Sequence, residues 1–298
     1  MHCKLEKMKG IVTVLNTPFD EQNKIDIDGL KKHIEYAIES GVKGILVPAK
    51  AAEVDKLNLE ERIIMVKTAI ETANGKIPVI AGTQSKSDEE AVQFAKSAID
   101  MGADGILIST NFKSEEQMKL FVSHFNHLNV DFIILQDWST ESYGIPTSTL
   151  LSLFSSYSVL RGVKIEVVPA GIKYSEILKE TGGKIHVSGG WAVTQMIEAL
   201  DRGVHALMPT GMHELYVKID KFYKTNKKQE AEQLFRKILP ILAFSNQHLD
   251  ISIHFFKQLL YEQGIYKTHN VRSPILEIDD IHKQQIKKLI QYYFDLKN

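Results

Sequence analysis

Cysteine is nearly absent from this chain: its 298 residues include one, Cys3. No intramolecular disulfide can form, so a covalently stapled scaffold is excluded and a reducing compartment, the cytoplasm, is the expectation. The opening "MHCKLEKMKG" carries no apolar segment of the kind that directs secretion, which agrees with that expectation. No apolar run is long enough to span a bilayer, so no membrane partner is expected. An excess of one charge is missing too. Lys and Arg number 36 against 37 Asp and Glu, and a formal net charge of -1 gives no broad pull toward nucleic acid. The eleven histidines are scattered. No Cys/His cluster has metal-site spacing, and neither a metal nor an organic cofactor is expected. No GxGxxG follows the first apolar run, which argues against an open dinucleotide-binding sheet.

What is present is a repeated βα pattern. Short runs rich in Val, Ile and Leu recur: "GIVTVLN", "GILVP", "IPVIAG", "GILIST", "DFIILQD", "VLRGVKIE", "KIHVSG" and "VHALMP". They are continuously apolar rather than alternating, as expected of parallel strands covered on both faces. Between them lie stretches long enough for a crossover helix. In "IDIDGLKKHIEYAIESG" the residues Ile27, Leu30, Ile34 and Ile38 follow helical spacing, and Gly41 stops the run. Asn58 with Glu61, and Ser87 with Glu90, have the spacing of helix-capping pairs. "GVKGILV", "GADGILI" and "GVHALMP" repeat one device, a glycine that ends a helix before a strand begins. Eight such units predict a (β/α)8 TIM barrel over residues 1–220. Residues 221–298 read as helical throughout, a C-terminal helical extension with no linker before it.

In such a barrel the active site lies at the C-terminal ends of the strands. "RGVKIEVVP" stands out there. Lys164 and Glu166 are two apart in a buried strand and therefore share one face. Burying two charges costs several kcal/mol per ion unless they are well paired. An amine enclosed by apolar walls loses solvation, which favours its neutral form. A neutral amine condenses with a ketone, and the resulting iminium stabilises a carbanion on the next carbon. The plainer reading is a structural ion pair, since such pairs also bury lysines.

At these residues the chain resembles the dihydrodipicolinate synthase / N-acetylneuraminate lyase family of class I aldolases. "GIVTVLNTPFDEQNKID" is similar to the family opening with its Thr-Pro-Phe. "ESGVKGILVPAKAAEVDKLNLEER" corresponds to the segment that carries Gly-Thr-Thr-Gly-Glu and Leu-Ser-x-Glu-Glu-Arg. "LRGVKIE" lies where the family has its Schiff-base lysine, and "IHVSGG" where it has Ser-Gly-Asp. The resemblance implies that Lys164 forms the imine, that the substrate is a small 2-oxo acid, and that the chain assembles as a homotetramer or dimer.

The departures are as informative. The family tyrosine that shuttles a proton ends strand five; here that place is Gln136, which is neither acid nor base near neutral pH. Both threonines of the carboxylate-gripping segment are gone, replaced within Ala49-Lys50-Ala51-Ala52-Glu53. Asn111-Phe112 stand in for a tyrosine pair, and the arginine after strand five has no counterpart near Glu141 and Ser142. The lysine-biosynthetic reaction is therefore not expected. The chain is closer to a subset of the family with "QD" after strand five and "K-x-E" in strand six.

Glu166 is the expected replacement for the tyrosine as proton relay, against the plainer reading of an ion pair that only holds Lys164. Ala49, Lys50 and Ala51 are expected to grip the substrate carboxylate, Lys50 by charge; a solvated loop lysine is its plainer reading. Gln136, Gly189 and Met208 are the remaining expected substrate contacts. Asp137 is expected to fix the loop after strand five and Glu53 to be structural. The Gly189-Gly190 pair could present amides to an anion, although a turn is the plainer reading. Trp138 and Trp191 stand at strand ends, where aromatics line a mouth or simply pack. His186, His205 and His213 are expected to be structural.

The function expected is a Schiff-base lyase on a small 2-oxo acid, by retro-aldol cleavage to pyruvate or by dehydration of a 2-keto-3-deoxy sugar acid. The alternative is an impaired family member that binds a keto acid as a sensor or partner protein, and a phosphate-binding barrel enzyme using "SGG" and "PTG" is the third reading.

Overall fold

Eight parallel strands pair in chain order and close on themselves: β1 (Gly10–Val14), β2 (Gly44–Val47), β3 (Val79–Gly82), β4 (Gly105–Ser109), β5 (Phe132–Trp138), β6 (Leu160–Glu166), β7 (His186–Gly189) and β8 (Ala206–Leu207). All eight fall on the apolar runs read from the sequence, with β5 extending one residue beyond its run to Trp138. The computed structural model describes residues 4–297, so Cys3 lies outside the described residues. Helices α1 (Ile27–Glu39), α2 (Leu59–Ala73), α3 (Asp88–Asp100), α4 (Glu115–Ser123), α5 (Thr147–Ser156), α6 (Ala170–Glu180), α7 (Met196–Asp201) and α8 (His213–Lys224) alternate with the strands. Three helices follow: α9 (Lys228–Ser245), α10 (Leu249–Glu262) and α11 (Asp280–Lys297).

Local sequence sets the punctuation. Asn58 and Glu61 form a reciprocal capping box at the start of α2. Ser87 caps α3 by accepting from the Glu90 amide, while Glu90 reaches back to the amide of Lys86 rather than Ser87. Gly41, Gly102 and Gly203 end α1, α3 and α7 with φ of +91°, +101° and +83°, a region side chains disfavour, so these three helices stop at a glycine before the next strand.

The period-2 geometry of the strands sorts residues into two layers. Ile11, Ile106, Ile108, Ile133, Leu135, Val163, Ile165 and Val187 face the helices. Val12, Val14, Leu46, Ile80, Leu107, Phe132, Ile134, Ala206 and Met208 form the barrel interior, with Leu5 and Met8 from the N-terminal segment packed among them. Each Val, Leu, Ile, Phe or Met among them that is fully removed from water contributes ~1.5–3 kcal/mol. The apolar filling ends toward the C-terminal strand ends, where the interior places pass to Gln136, Lys164, Glu166 and Ser188.

The boundary read at residue 220 does not coincide with a break between elements, since it lies within α8, which runs to Lys224. Nor is the rest helical throughout. Gly264 (φ +72°) ends α10, and residues 263–279 form an irregular strap instead. Side chains hold that strap in place of a helical ladder: Thr268 bonds the Phe19 carbonyl, Arg272 makes a two-pronged bridge to Glu61, and Lys267 pairs with Asp26. Among the described residues no helix is long and apolar enough to cross a membrane.

Candidate active site

Lys164 and Glu166 do share the inner face of β6, and both are buried, with 4% and 7% of their surface exposed. Lys164 Nζ lies 3.0 Å from Glu166 Oε2. Strand register brings the next residues in. Gln136 pairs with Lys164 across β5 and β6, and Trp138 pairs with Glu166. The Gln136 amide donates to Glu166 Oε2 at 2.6 Å, and the Trp191 backbone N–H donates to Oε1 at 2.8 Å. One carboxylate therefore receives a lysine, a side-chain amide and a backbone amide. Charge-assisted donors of this kind fix its position closely.

Gly190 makes the arrangement possible. A Cβ at that position would stand 2.0 Å from Glu166 Oε1 and 2.7 Å from Lys164 Cε. The ion pair occupies the volume that any other residue's side chain would need. Gly189, expected to contact substrate, faces the other way. A Cβ there would meet the Tyr174 hydroxyl at 2.3 Å, on the helical side of the barrel. Alternation along the chain puts Gly190, not Gly189, on the cleft. The amide that meets the Glu166 carboxylate is that of Trp191, one residue beyond the Gly189-Gly190 pair.

The cleft opens at the C-terminal end of the barrel and is small, with a cavity volume of about 70 Å³. Ala49, Lys50, Ala51, Gln136, Lys164, Glu166 and Met208 all line it. Among the described residues the Lys50 ammonium has no carboxylate partner, and it sits 5.5 Å from the centre of the Trp138 ring. Trp138 and Trp191 both line the cleft and meet edge to face, their centroids 5.8 Å apart. Tyr216, Asn246, Leu249, Ser252 and Phe256, from α8 to α10, close another side. Sequence reasoning did not reach these last five. They are brought to the mouth by the folding back of the tail, and no local pattern marks them.

The supporting residues behave as expected. Asp137 points outward from β5, pairs with the buried Lys173 of α6 and accepts from the Ile145 amide at 2.9 Å. Lys173 also donates to the carbonyls of Tyr143 and Ile145, both at 2.5 Å, so the β5–α5 loop is fastened from beneath. Burial pushes the Asp137 carboxyl up and the Lys173 amine down, and their mutual attraction opposes both shifts. Glu53 fastens the β2–α2 loop to the tail. Its carboxylate meets Lys257 of α10 at 2.5 Å, Lys56 at 3.1 Å and the Arg272 amide at 2.9 Å. Burial lowers the Lys257 amine to about 8.

The histidines lie away from the cleft. His213 bonds Thr13 at 3.2 Å and His33 at 3.1 Å, and His33 continues to Tyr266 at 2.7 Å. His205 accepts from the Val187 amide, and His186 bonds the Met8 carbonyl, its other ring nitrogen having no partner among the described residues.

Comparison with known proteins agrees with this architecture. The family model of the dihydrodipicolinate synthetase family matches residues 7–293. A 4-hydroxy-tetrahydrodipicolinate synthase of Methanococcus maripaludis is 30% identical over 240 residues, covering 79% of this chain and 82% of the relative. One from Methanocaldococcus jannaschii is 26% identical over 289 residues, covering 95% and 98%. Solved structures share the fold at lower identity. A dihydrodipicolinate synthase of Rhodopseudomonas palustris superposes with a TM-score of 0.88 at 19% identity, covering 96% of this chain and 98% of its own. A sialic acid aldolase of Ruminococcus gnavus gives 0.88 at 19% identity, covering 98% of each. A match that runs through barrel and tail alike makes this chain a member of the dihydrodipicolinate synthetase family and an aldolase-type lyase.

Proposed function

We propose that the chain is a Schiff-base lyase that acts on a small 2-oxo acid through Lys164, with Glu166 as its proton carrier. The observation that carries this reading is the 3.0 Å contact between Lys164 Nζ and Glu166 Oε2 at the floor of an open cleft. The proton that the amine must shed has an acceptor within hydrogen-bond reach. The freed amine adds to C2 of the ketone. Glu166 returns the proton to the carbinolamine oxygen, which leaves as water, and an iminium remains. In a retro-aldol step Glu166 takes the proton of the C4 hydroxyl, the C3–C4 bond breaks, and the electron pair enters the iminium to give an enamine and an aldehyde. Protonation of the enamine at C3 and addition of water release pyruvate and the amine. Dehydration of a 2-keto-3-deoxy acid uses the same iminium, with C3 deprotonated and hydroxide lost from C4 as water.

Lys50 and the backbone of residues 49–51 would hold the substrate carboxylate by charge and hydrogen bonds, in place of hydroxyl side chains. Gln136 does not act on substrate in this reading; its amide holds Glu166 where the missing tyrosine hydroxyl would otherwise work. The test is reduction with borohydride in the presence of pyruvate. A mass increase on the peptide containing Lys164 is expected. An unmodified Lys164 after full reduction would refute the proposal.

A further inference from the structure

Tyr216, in the first turn of α8, carries an oxygen that the fold itself does not use. Its ring belongs to the packed layer between barrel and helices, with 1% of its surface exposed, and the same residue lines the cleft that holds Lys164. Among the described residues its hydroxyl meets no hydrogen-bond partner, and burial alone pushes the phenol up. A buried tyrosine hydroxyl normally finds a partner, and one left without it opposes folding. Phenylalanine would fill the same space without that penalty, so packing alone does not account for a tyrosine here. Ser252, also on the cleft, can turn its hydroxyl onto a carbonyl one turn back in α10. The Tyr216 hydroxyl is carried out beyond a rigid ring and cannot reach its own helix in that way.

A bound 2-oxo acid has the complementary need. In the mechanism above Glu166 serves the oxygen on C2. The two carboxylate oxygens are acceptors only and can take about four hydrogen bonds. Ala49 and Ala51 bring no polar side chain to them, which leaves the Lys50 ammonium. Leu249 and Phe256 add apolar walls, against which an anion short of donors binds poorly. The cavity of about 70 Å³ is half of the roughly 150 Å³ that accommodates benzene, so a molecule joined to Lys164 fills it and comes against its lining. Resting on the Schiff-base reading, we infer that Tyr216 is a substrate-binding residue whose hydroxyl donates a hydrogen bond to the carboxylate of the 2-oxo acid, as a second donor beside Lys50. The hydroxyl missing after β2 is thereby supplied from α8. Tyr216 holds substrate and does not shuttle protons, because a phenol kept neutral by burial does not readily part with its own.

Tyr216→Phe removes the oxygen and keeps the ring. The full-length protein and this variant are equilibrated with increasing pyruvate and trapped with borohydride, and the modified fraction of the Lys164 peptide is read by mass. A hydrogen bond to a charged group is worth roughly tenfold or more in affinity. The variant is therefore expected to need at least about fivefold more pyruvate for half-maximal trapping and to reach the wild-type maximum. Methyl pyruvate keeps the ketone but not the carboxylate charge, and its half-saturation should shift less. The melting temperature should be unchanged or higher, since an unpartnered hydroxyl has been removed. A smaller shift with pyruvate, an equal shift with the ester, or a lowered melting temperature overturns the contact and leaves the lyase reading in place. Failure to trap Lys164 in the unaltered protein overturns both.

Discussion

Replacing Gly190 with alanine tests the geometry of the site with a single methyl group. The new Cβ would stand 2.0 Å from Glu166 Oε1 and 2.7 Å from Lys164 Cε. Ordinary non-bonded contact begins near 3.5 Å, so the carboxylate must retreat by more than about 1 Å. It cannot do so and keep the Trp191 amide at 2.8 Å and the Gln136 amide at 2.6 Å. Misplacing a reacting group by ~1 Å lowers a rate by roughly 100-fold, or ~2.7 kcal/mol of barrier. Overpacking costs about 1–3 kcal/mol of stability besides. The assay is the rate of adduct formation with pyruvate under borohydride, measured where circular dichroism shows the variant folded. Gly189→Ala is the companion. Its Cβ would strike Tyr174 on the outer side of β7, so it should lower the melting temperature while trapping proceeds within about threefold of wild type. Wild-type trapping by a folded Gly190→Ala protein would refute the claim that this glycine makes room for the pair.

Three further outcomes are expected. Glu166→Gln keeps the shape of the carboxylate but not its capacity to carry a proton, so turnover should fall by about 10²–10⁴; a rate within threefold of wild type would remove Glu166 from the chemistry. His33 and His213 are buried and hydrogen-bonded to each other, and burial holds His213 down at about 4 and His33 well below its ordinary value. Both are neutral in the fold but protonate below about 6.5 when unfolded, so stability present above that pH is lost as the pH falls toward 4. Between pH 7 and pH 5 the pair should remove on the order of 4 kcal/mol, read as a drop in the urea midpoint, and an unchanged midpoint would contradict it. Asp137→Asn leaves Lys173 buried without its carboxylate, which should cost ~3–5 kcal/mol of stability, and the double change Asp137→Leu with Lys173→Met should cost less than the single one; equal losses would show that the pair is not what fastens the β5–α5 loop.

Much of this protein is written locally. The eight strands were legible because buried parallel strands are short continuous apolar runs, and because Gly41, Gly102 and Gly203 mark where helices stop. The caps at Asn58 and Ser87 were legible for the same reason, since their bonds span three residues. That Lys164 and Glu166 share a face follows from the pleat, which repeats every two residues wherever the strand lies. The strap at 263–279 was not legible: its order comes from side chains that reach back to Phe19, Asp26 and Glu61, more than 200 residues away in the chain.

What the amino-acid order determined by itself, then, was the barrel and the pair of charges inside it, because both rest on interactions between near neighbours. Only closure of the barrel and return of the tail decided the rest. They brought Gly190 of the β7 end against the β6 pair, put Trp138 and Trp191 into one wall, and seated Lys257 on Glu53 across 204 residues. Such contacts depend on where distant segments meet in space, and spacing along a chain carries no measure of that distance.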